Sequence, residues 1–255
     1  MSGLTYPQFH AAFTLPALLL LAAVTTVARR RSTRRTVWVR GAALAYWADV
    51  ALLVGLAVAY TAPWDNYLIA QGVWEYGPGR TLARLNYAPV SEYVFFGGQT
   101  VLTALWLSAL PAGRNPPTVR SRSGQHRHTE RIAGVVGATV LFAVGWWLLG
   151  TDATFYLGAI LAWAAPVLAL QWGVGAPALR DRYRTVALGA AVPTLYLSGV
   201  DRIAIHQGVW ELSARYTTGV TVAGLPVEEA LFFLTTNLFV VQGLILARWV
   251  RDGWS

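Results

Sequence analysis

The stretch Asp65-Asn-Tyr-Leu-Ile-Ala-Gln-Gly-Val-Trp-Glu75 returns as Asp201-Arg-Ile-Ala-Ile-His-Gln-Gly-Val-Trp-Glu211, with seven of eleven positions identical at an offset of 136. Tyr60 and Tyr196 extend the match upstream. Downstream, Pro89-Val-Ser-Glu-Tyr-Val-Phe-Phe96 matches Pro226-Val-Glu-Glu-Ala-Leu-Phe-Phe233 at an offset of 137, so the intervening loop differs by one residue. Apolar segments resemble one another by chance through Leu and Ala. Asp, Gln, Gly, Trp, Glu and Pro at fixed spacing mark an internal duplication.

The chain around these motifs has the composition of a bilayer protein. Of its 255 residues, 55% are hydrophobic and 13% are charged, about half the roughly 25% usual in soluble domains. All 20 basic residues are Arg, and there is no Lys and no Cys. Disulfides and Cys-based zinc or iron–sulfur sites are excluded, as is any chemistry needing a lysine amine, such as a retinal or PLP Schiff base. A helix crosses a bilayer with about 20 mostly apolar residues. Seven segments qualify: Phe9–Ala28, Gly41–Thr61, Ala88–Leu110, Ile132–Gly150, Thr154–Gly173, Thr185–Val200 and Leu225–Ala247. The sixth is short and can run on through Ile203–Val209. The first is not a cleaved signal, because its basic cluster comes after the apolar run.

The arginines give the orientation. Six lie in Arg29–Arg40, five in Arg114–Arg131, three in Arg180–Arg184 and two after Ala247, which makes sixteen on one side. Only Arg80, Arg84, Arg202 and Arg215 lie on the other. The positive-inside bias predicts an outside N-terminus and a cytoplasmic C-terminus. It also reads the basic runs as topology signals near anionic lipid, with no nucleic-acid partner.

The expected fold is an all-α integral membrane protein of seven transmembrane helices. The duplication covers helices 2–3 and 6–7, and by position helices 1 and 5. Helix 4 has no counterpart. The result is a parallel 3+1+3 repeat: residues 1–110, a basic loop plus linker helix over 111–153, and residues 154–255. Parallel repeats imply a pseudo-twofold axis along the membrane normal, with sites at the interface between halves.

Acids within membrane segments are costly, about 2.5–3.5 kcal/mol each on insertion scales, and mark function by default. Asp65, Glu75, Glu92, Asp201, Glu211, Glu228 and Glu229 all fall in the duplicated motifs. Read plainly, Pro with Glu soon after is a helix start that complements the macrodipole. Against that reading, Glu92 and Glu229 each have Phe at i+3 and i+4, so acid and rings share a helical face. A carboxylic acid in an apolar pocket can donate a proton near neutral pH, and aromatic faces can stabilise a cation. Together they suit protonation of an alkene. Phe95, Phe96, Phe232 and Phe233 also fit ordinary helix packing. His126 and His128 lie in a basic loop and read as solvated. His206 could relay protons. Asp49 has no acidic counterpart in the second half and reads as structural. Gln71, Gly72, Gln207 and Gly208 read as points of close helix approach or interhelical hydrogen bonding. No dinucleotide fingerprint or phosphate loop is present.

The paired Asp-x5-Gln-Gly-Val-Trp-Glu and Pro-Val-x-Glu-x-x-Phe-Phe motifs resemble the membrane-integral lycopene β-cyclases: archaeal single-chain, bacterial two-subunit and fungal fused forms. The resemblance covers essentially the whole chain. It implies an isomerase, or intramolecular lyase, without net redox change, cofactor or metal. An acid protonates a terminal double bond of lycopene, the cation closes a ring, and a base removes a ring proton. Two closures give β-carotene through γ-carotene. The family motif carries over onto Pro89, Glu92, Phe95 and Phe96, and onto Pro226, Glu228, Glu229, Phe232 and Phe233. Ser91 stands where the second half has Glu228, which favours the pair Glu228–Glu229 as acid and base. The expected catalytic residues are Glu229, Glu92, Glu228, Asp65 and Asp201, with Phe95, Phe96, Phe232, Phe233, Trp74, Trp210, Glu75 and Glu211 lining the substrate site. Expected partners are lycopene, the lipid bilayer and other membrane enzymes of carotenoid synthesis. Two other functions fit a parallel repeat: a membrane transporter, and a non-catalytic carotenoid-binding protein. The transporter would be expected to carry more polar groups at mid-membrane depth.

Overall fold

The computed structural model describes residues 3–31, 40–110 and 124–253. Arg34, Arg35, Arg114, Arg120 and Arg122, together with the start of the expected linker segment, lie outside the described residues. The chain opens with α1 (Tyr6–Phe9), a π-turn (His10–Thr14) and α2 (Leu15–Arg31). Thr5 starts this run with a capping box closed by Gln8. Then come α3 (Arg40–Ala70), β1 (Trp74–Tyr76), β2 (Arg84–Leu85), β3 (Ala88–Pro89) and α4 (Val90–Ala109). Next are α5 (Gly124–Leu148), a 3-10 turn (Asp152–Thr154), α6 (Phe155–Asp181) and α7 (Tyr183–His206). The chain closes with β4 (Trp210–Leu212), β5 (Thr221–Val222), β6 (Leu225–Pro226) and α8 (Val227–Gly253).

Five helical stretches among the described residues are long and apolar enough to cross a membrane: Tyr6–Val27, Leu44–Ala70, His126–Leu148, Asp152–Asp181 and Val227–Arg251. The expected third and sixth spans form α4 and α7, which carry more polar residues, including Glu92, Gln99, Thr103, Arg184 and Asp201. Large apolar side chains face outward along the helices, such as Leu19, Leu20, Trp146 and Trp147. That pattern suits a lipid surround. The linker helix α5 lies along α6. At their crossing a Cβ on Gly145 would sit 2.5 Å from the Ala162 nitrogen, and one on Gly158 2.7 Å from the Gly145 oxygen. Small residues here let two backbones meet.

Three two-stranded ladders at one end of the bundle refine the all-α expectation. β1 pairs with β4, so that Glu75 opposes Glu211 and the two copies of the Trp-Glu motif are each other's partners. Hairpins β2–β3 and β5–β6 lead directly into α4 and α8. In the Gln-Gly motif Gln207 accepts a hydrogen bond from the Leu4 amide at 3.4 Å, whereas the glycines serve as turn residues. Gly72 has φ 75° and Gly208 φ 62°. The Val73 amide donates to Leu68 O and the Val209 amide to Ala204 O, both at 3.0 Å. These are left-handed C-caps that end α3 and α7, and no neighbouring atom lies within 4 Å of a Cβ built on Gly72. A short αL residue is needed there to turn the chain from helix into strand.

The core has two parts. One, at the ladder end, is aromatic: Tyr6, Phe9, Phe95, Phe96, Tyr156, Trp163, Phe232 and Phe233. The other is aliphatic, around Val50, Leu107, Leu179, Val241 and Leu244. Between them α4 and α8 touch through polar groups. Gln99 donates to Thr236, and Thr103 donates to Asn237 at 2.5 Å. Asn237 in turn donates to Thr194 on α7 at 3.0 Å. At the aliphatic end Arg251 grips Asp49 with two bonds of 3.0 and 2.9 Å, which gives Asp49 its structural role.

Candidate active site

Each half enters its second duplicated motif the same way. A hairpin strand ends in Pro, and a helix begins with acid in its first turn: Glu92 on α4, Glu228 and Glu229 on α8. The free amides and dipole of a helix N-terminus favour acid at this place. The three side chains then diverge. Glu92 and Glu229 turn into one chamber. Glu228 turns away, against the expectation that it pairs with Glu229 in catalysis. It is fully buried against the β5 loop, accepting from the Thr218 amide and hydroxyl, both at 2.7 Å.

The chamber has a volume of about 60 Å³. Four acids line it: Asp65 from α3, Glu92 from α4, Asp201 from α7 and Glu229 from α8. Phe95, Phe96, Phe232, Phe233, Trp74 and Trp210 also line it. The structure thus brings together both copies of each duplicated acid, Asp65 with Asp201 and Glu92 with Glu229, which lie 136 and 137 positions apart in sequence. All four acids are buried, and they stand close enough for Asp65 to sense the charges of Glu92 and Glu229, and Asp201 that of Glu229. Ion pairs among the described residues include Arg180–Glu130, Arg215–Asp152 and Arg251–Asp49, all away from the chamber.

Phenol and indole groups hold the acids in place. Tyr156 donates to Glu229 at 2.9 Å. Tyr76 donates to Glu92 at 2.5 Å, and Tyr6 stacks on Tyr76 with centroids 6.0 Å apart. The Trp74 indole donates to the Tyr76 hydroxyl at 3.2 Å. Trp210 donates to Asp201 at 3.0 Å. One oxygen of Asp65 and one of Asp201 are buried without a partner among the described residues. Buried polar atoms are normally bonded; the indole nitrogen of Trp64, on the same chamber, is likewise without a partner among the described residues. Tyr76 lies on β1, where burial first and the Glu92 charge second push its phenol well above the usual range. It therefore stays a donor.

One wall is a stack of rings. Trp64 lies over Trp163 with centroids 4.7 Å apart and over Phe232 at 5.7 Å. Phe95 meets Phe233 edge-on at 6.1 Å. Such faces offer negative quadrupole to a cation. Tyr60 donates to Trp163 O, and its repeat partner Tyr196 to Phe13 O, each at 2.8 Å.

Several expected site residues lie outside. Glu75 and Glu211 are exposed at the centre of the β1–β4 ladder. His206 is exposed at the end of α7, and His126 and His128 are exposed on α5. Conversely, Tyr6, Tyr76, Tyr156, Trp64 and Trp163 belong to the site although no sequence motif marks them as chemical groups. The same holds for His10, which stacks on Tyr6 at 4.8 Å and bonds Ser91 O at 3.0 Å. Arg80 is a further addition. Its guanidinium bonds the Gly3 carbonyl, Gln207 O at 3.2 Å and Gly208 O at 3.2 Å. It thereby pins the segment carrying Tyr6 to the end of α7.

Comparison with known proteins gives a consistent picture. The family model described as lycopene cyclase matches residues 136–244. A lycopene beta-cyclase of Halobacterium salinarum is 50% identical over 211 residues, covering 81% of this chain and 85% of that protein. A bifunctional lycopene cyclase/phytoene synthase of Phycomyces blakesleeanus is 34% identical over 248 residues, 93% of this chain and 38% of that protein. One of Pyrenophora tritici-repentis is 35% identical over 94% of this chain and 40% of its own length. No solved structure matches.

Proposed function

The chain belongs to the lycopene cyclase family, and from that premise we propose that it is a lycopene β-cyclase of the membrane. It closes the ends of lycopene to β-ionone rings and forms β-carotene through γ-carotene, without net redox change. The chamber is the observation that supports this reading: four buried acids, no cationic partner among the described residues, and walls of stacked aromatic rings. Proton transfer and cation stabilisation are the two things such a cyclisation needs, and they are the two things this chamber offers.

Glu229 is the general acid. It carries one phenol donor, from Tyr156, and keeps an oxygen for the substrate. Protonation of the terminal double bond leaves a tertiary cation. The neighbouring double bond attacks it, the ring closes, and the charge moves to the adjacent ring carbon. Loss of a ring proton to Glu92 then restores the alkene. Tyr76 donates to Glu92, which is what a carboxylate needs in an apolar chamber. Asp65 and Asp201 orient the acids, and exchange with solvent between turnovers deprotonates Glu92 and reprotonates Glu229. Trp64, Trp163 and the four Phe residues exclude water and shield the cation.

In the membrane the protein is a seven-span, parallel 3+1+3 repeat, with residues 1–110 and 154–255 as its halves. The chamber lies at their interface, toward the outer end. The N-terminus is outside and the C-terminus cytoplasmic, as the arginine bias requires. Other membrane enzymes of carotenoid synthesis supply lycopene. The test is to supply lycopene in a host making no other cyclase. β-Carotene should accumulate. Unchanged lycopene beside well-expressed protein contradicts the assignment.

A further inference from the structure

A second cavity, of about 570 Å³, runs from the chamber toward the aliphatic end of the bundle. Leu53 and Ala57 on α3, Val167 and Leu170 on α6, and Phe239 and Gly243 on α8 line it. Phe96 and Phe232 belong to both cavities and form the partition between them. From Phe232 to Leu246 the groove runs along α8 for about 21 Å, two-thirds of a hydrocarbon core of about 30 Å. Its polar lining is largely turned inward: Gln99 donates to Thr236, and Gln171 to Phe239 O at 2.9 Å. The opposite edge is open. Leu56, Leu170 and Val174 line the groove and are also 53%, 67% and 41% exposed on the outer surface. α3 and α6 meet at the Tyr60–Trp163 and Trp64–Trp163 contacts near the chamber, and the lipid-facing gap lies below that point.

We propose that this groove binds the conjugated polyene chain of the substrate, which enters sideways from the bilayer between α3 and α6. The inference rests on the cyclase reading and extends it to the part of the substrate that does not react. An apolar slot of this length fits a straight apolar chain, and continuity with the chamber places one end group against Glu92 and Glu229. Phe96 and Phe232 stand between the groove and the chamber, so their side chains part when an end group passes. One groove serves one end at a time, so the half-cyclised product leaves and re-enters reversed.

The experiment uses the full chain in membranes, with Glu229→Gln as a non-turning background. That variant should purify with lycopene bound. Adding Ala57→Trp, which fills the groove, should lower bound lycopene about tenfold or more, and placing Ala57→Trp in the wild type should lower turnover by a similar factor. Leu52→Trp places the same ring on the outer face of the same helix and should change neither. If Ala57→Trp does not insert, Gly243→Val fills the same space from α8. Full pigment retention and turnover with the groove filled would overturn the proposal. So would an acyl lipid occupying the groove while lycopene binds normally. Failure of the cyclase reading is separate: the wild type would leave lycopene unchanged whatever the pigment-binding result.

Discussion

The Tyr156 hydroxyl donates to the Glu229 carboxyl across 2.9 Å, and the Tyr76 hydroxyl donates to Glu92 at 2.5 Å. One phenol comes from α6 and the other from β1. The bonds join α6 to α8 and β1 to α4, so they fix where the two acids point. Tyr156→Phe keeps the ring packed but removes the donor. Turnover should fall about tenfold, since a hydrogen bond to a charged group contributes roughly 1.5–3 kcal/mol. Protein level in the membrane should stay near wild type. The check is initial rate of lycopene consumption per unit of purified protein. An unchanged rate would remove Tyr156 from the proton-handling set.

Glu228 and Glu229 are neighbours in sequence and should part company on mutation. Glu229→Gln should lower turnover by about 10²- to 10⁴-fold, the usual range for loss of a general acid, with normal membrane insertion. Glu228→Ala should leave activity per folded molecule near wild type. It should instead destabilise the protein by about 1–3 kcal/mol, because the Thr218 amide and hydroxyl lose their buried acceptor. Thermal unfolding in detergent and product yield, measured on both variants, separate the two roles.

Tyr76 gives a pH signature. Burial and then the Glu92 charge push its phenol well above the usual range. The folded value thus exceeds the unfolded one of about 10. Its contribution to stability is complete below about pH 10 and is lost as pH rises beyond that, because the unfolded chain gives up the proton first. The melting temperature of the wild type should fall more steeply above about pH 10 than that of Tyr76→Phe. Parallel curves for the two would show that Tyr76 does not titrate with folding.

The four acids and four Phe residues of the chamber are legible in the sequence because they recur in a duplicated pattern, and duplication separates them from the surrounding Leu and Ala. The phenols are not. A lone Tyr near the start of an apolar helix carries no sign of the direction it faces. With the structure in hand, a faint trace is visible: Tyr156 lies 150 positions after Tyr6, and Pro166 lies 150 after Pro16. Glu228 looks like a chamber residue in sequence because Ser91 replaces it in the first half. Consecutive helical residues point about 100° apart, so only one of two adjacent acids can face the cavity squarely. Gly72 and Gly208 look like contact points, since a sequence does not state the sign of φ. The helical fold is written in composition and length, whereas the short ladders depend on where each helix stops.

Cyclisation of lycopene in D₂O, with mass analysis of the product, tests the proton-initiated step itself. Solvent deuterium reaches the substrate only through the acid that starts the reaction, and the proton lost at the end is a substrate proton. The mechanism predicts one deuterium retained for each ring closed, and ring formation by Glu229→Gln slowed by about 10²-fold or more. Rings formed without deuterium, or a wild-type rate with Glu229→Gln, would contradict it.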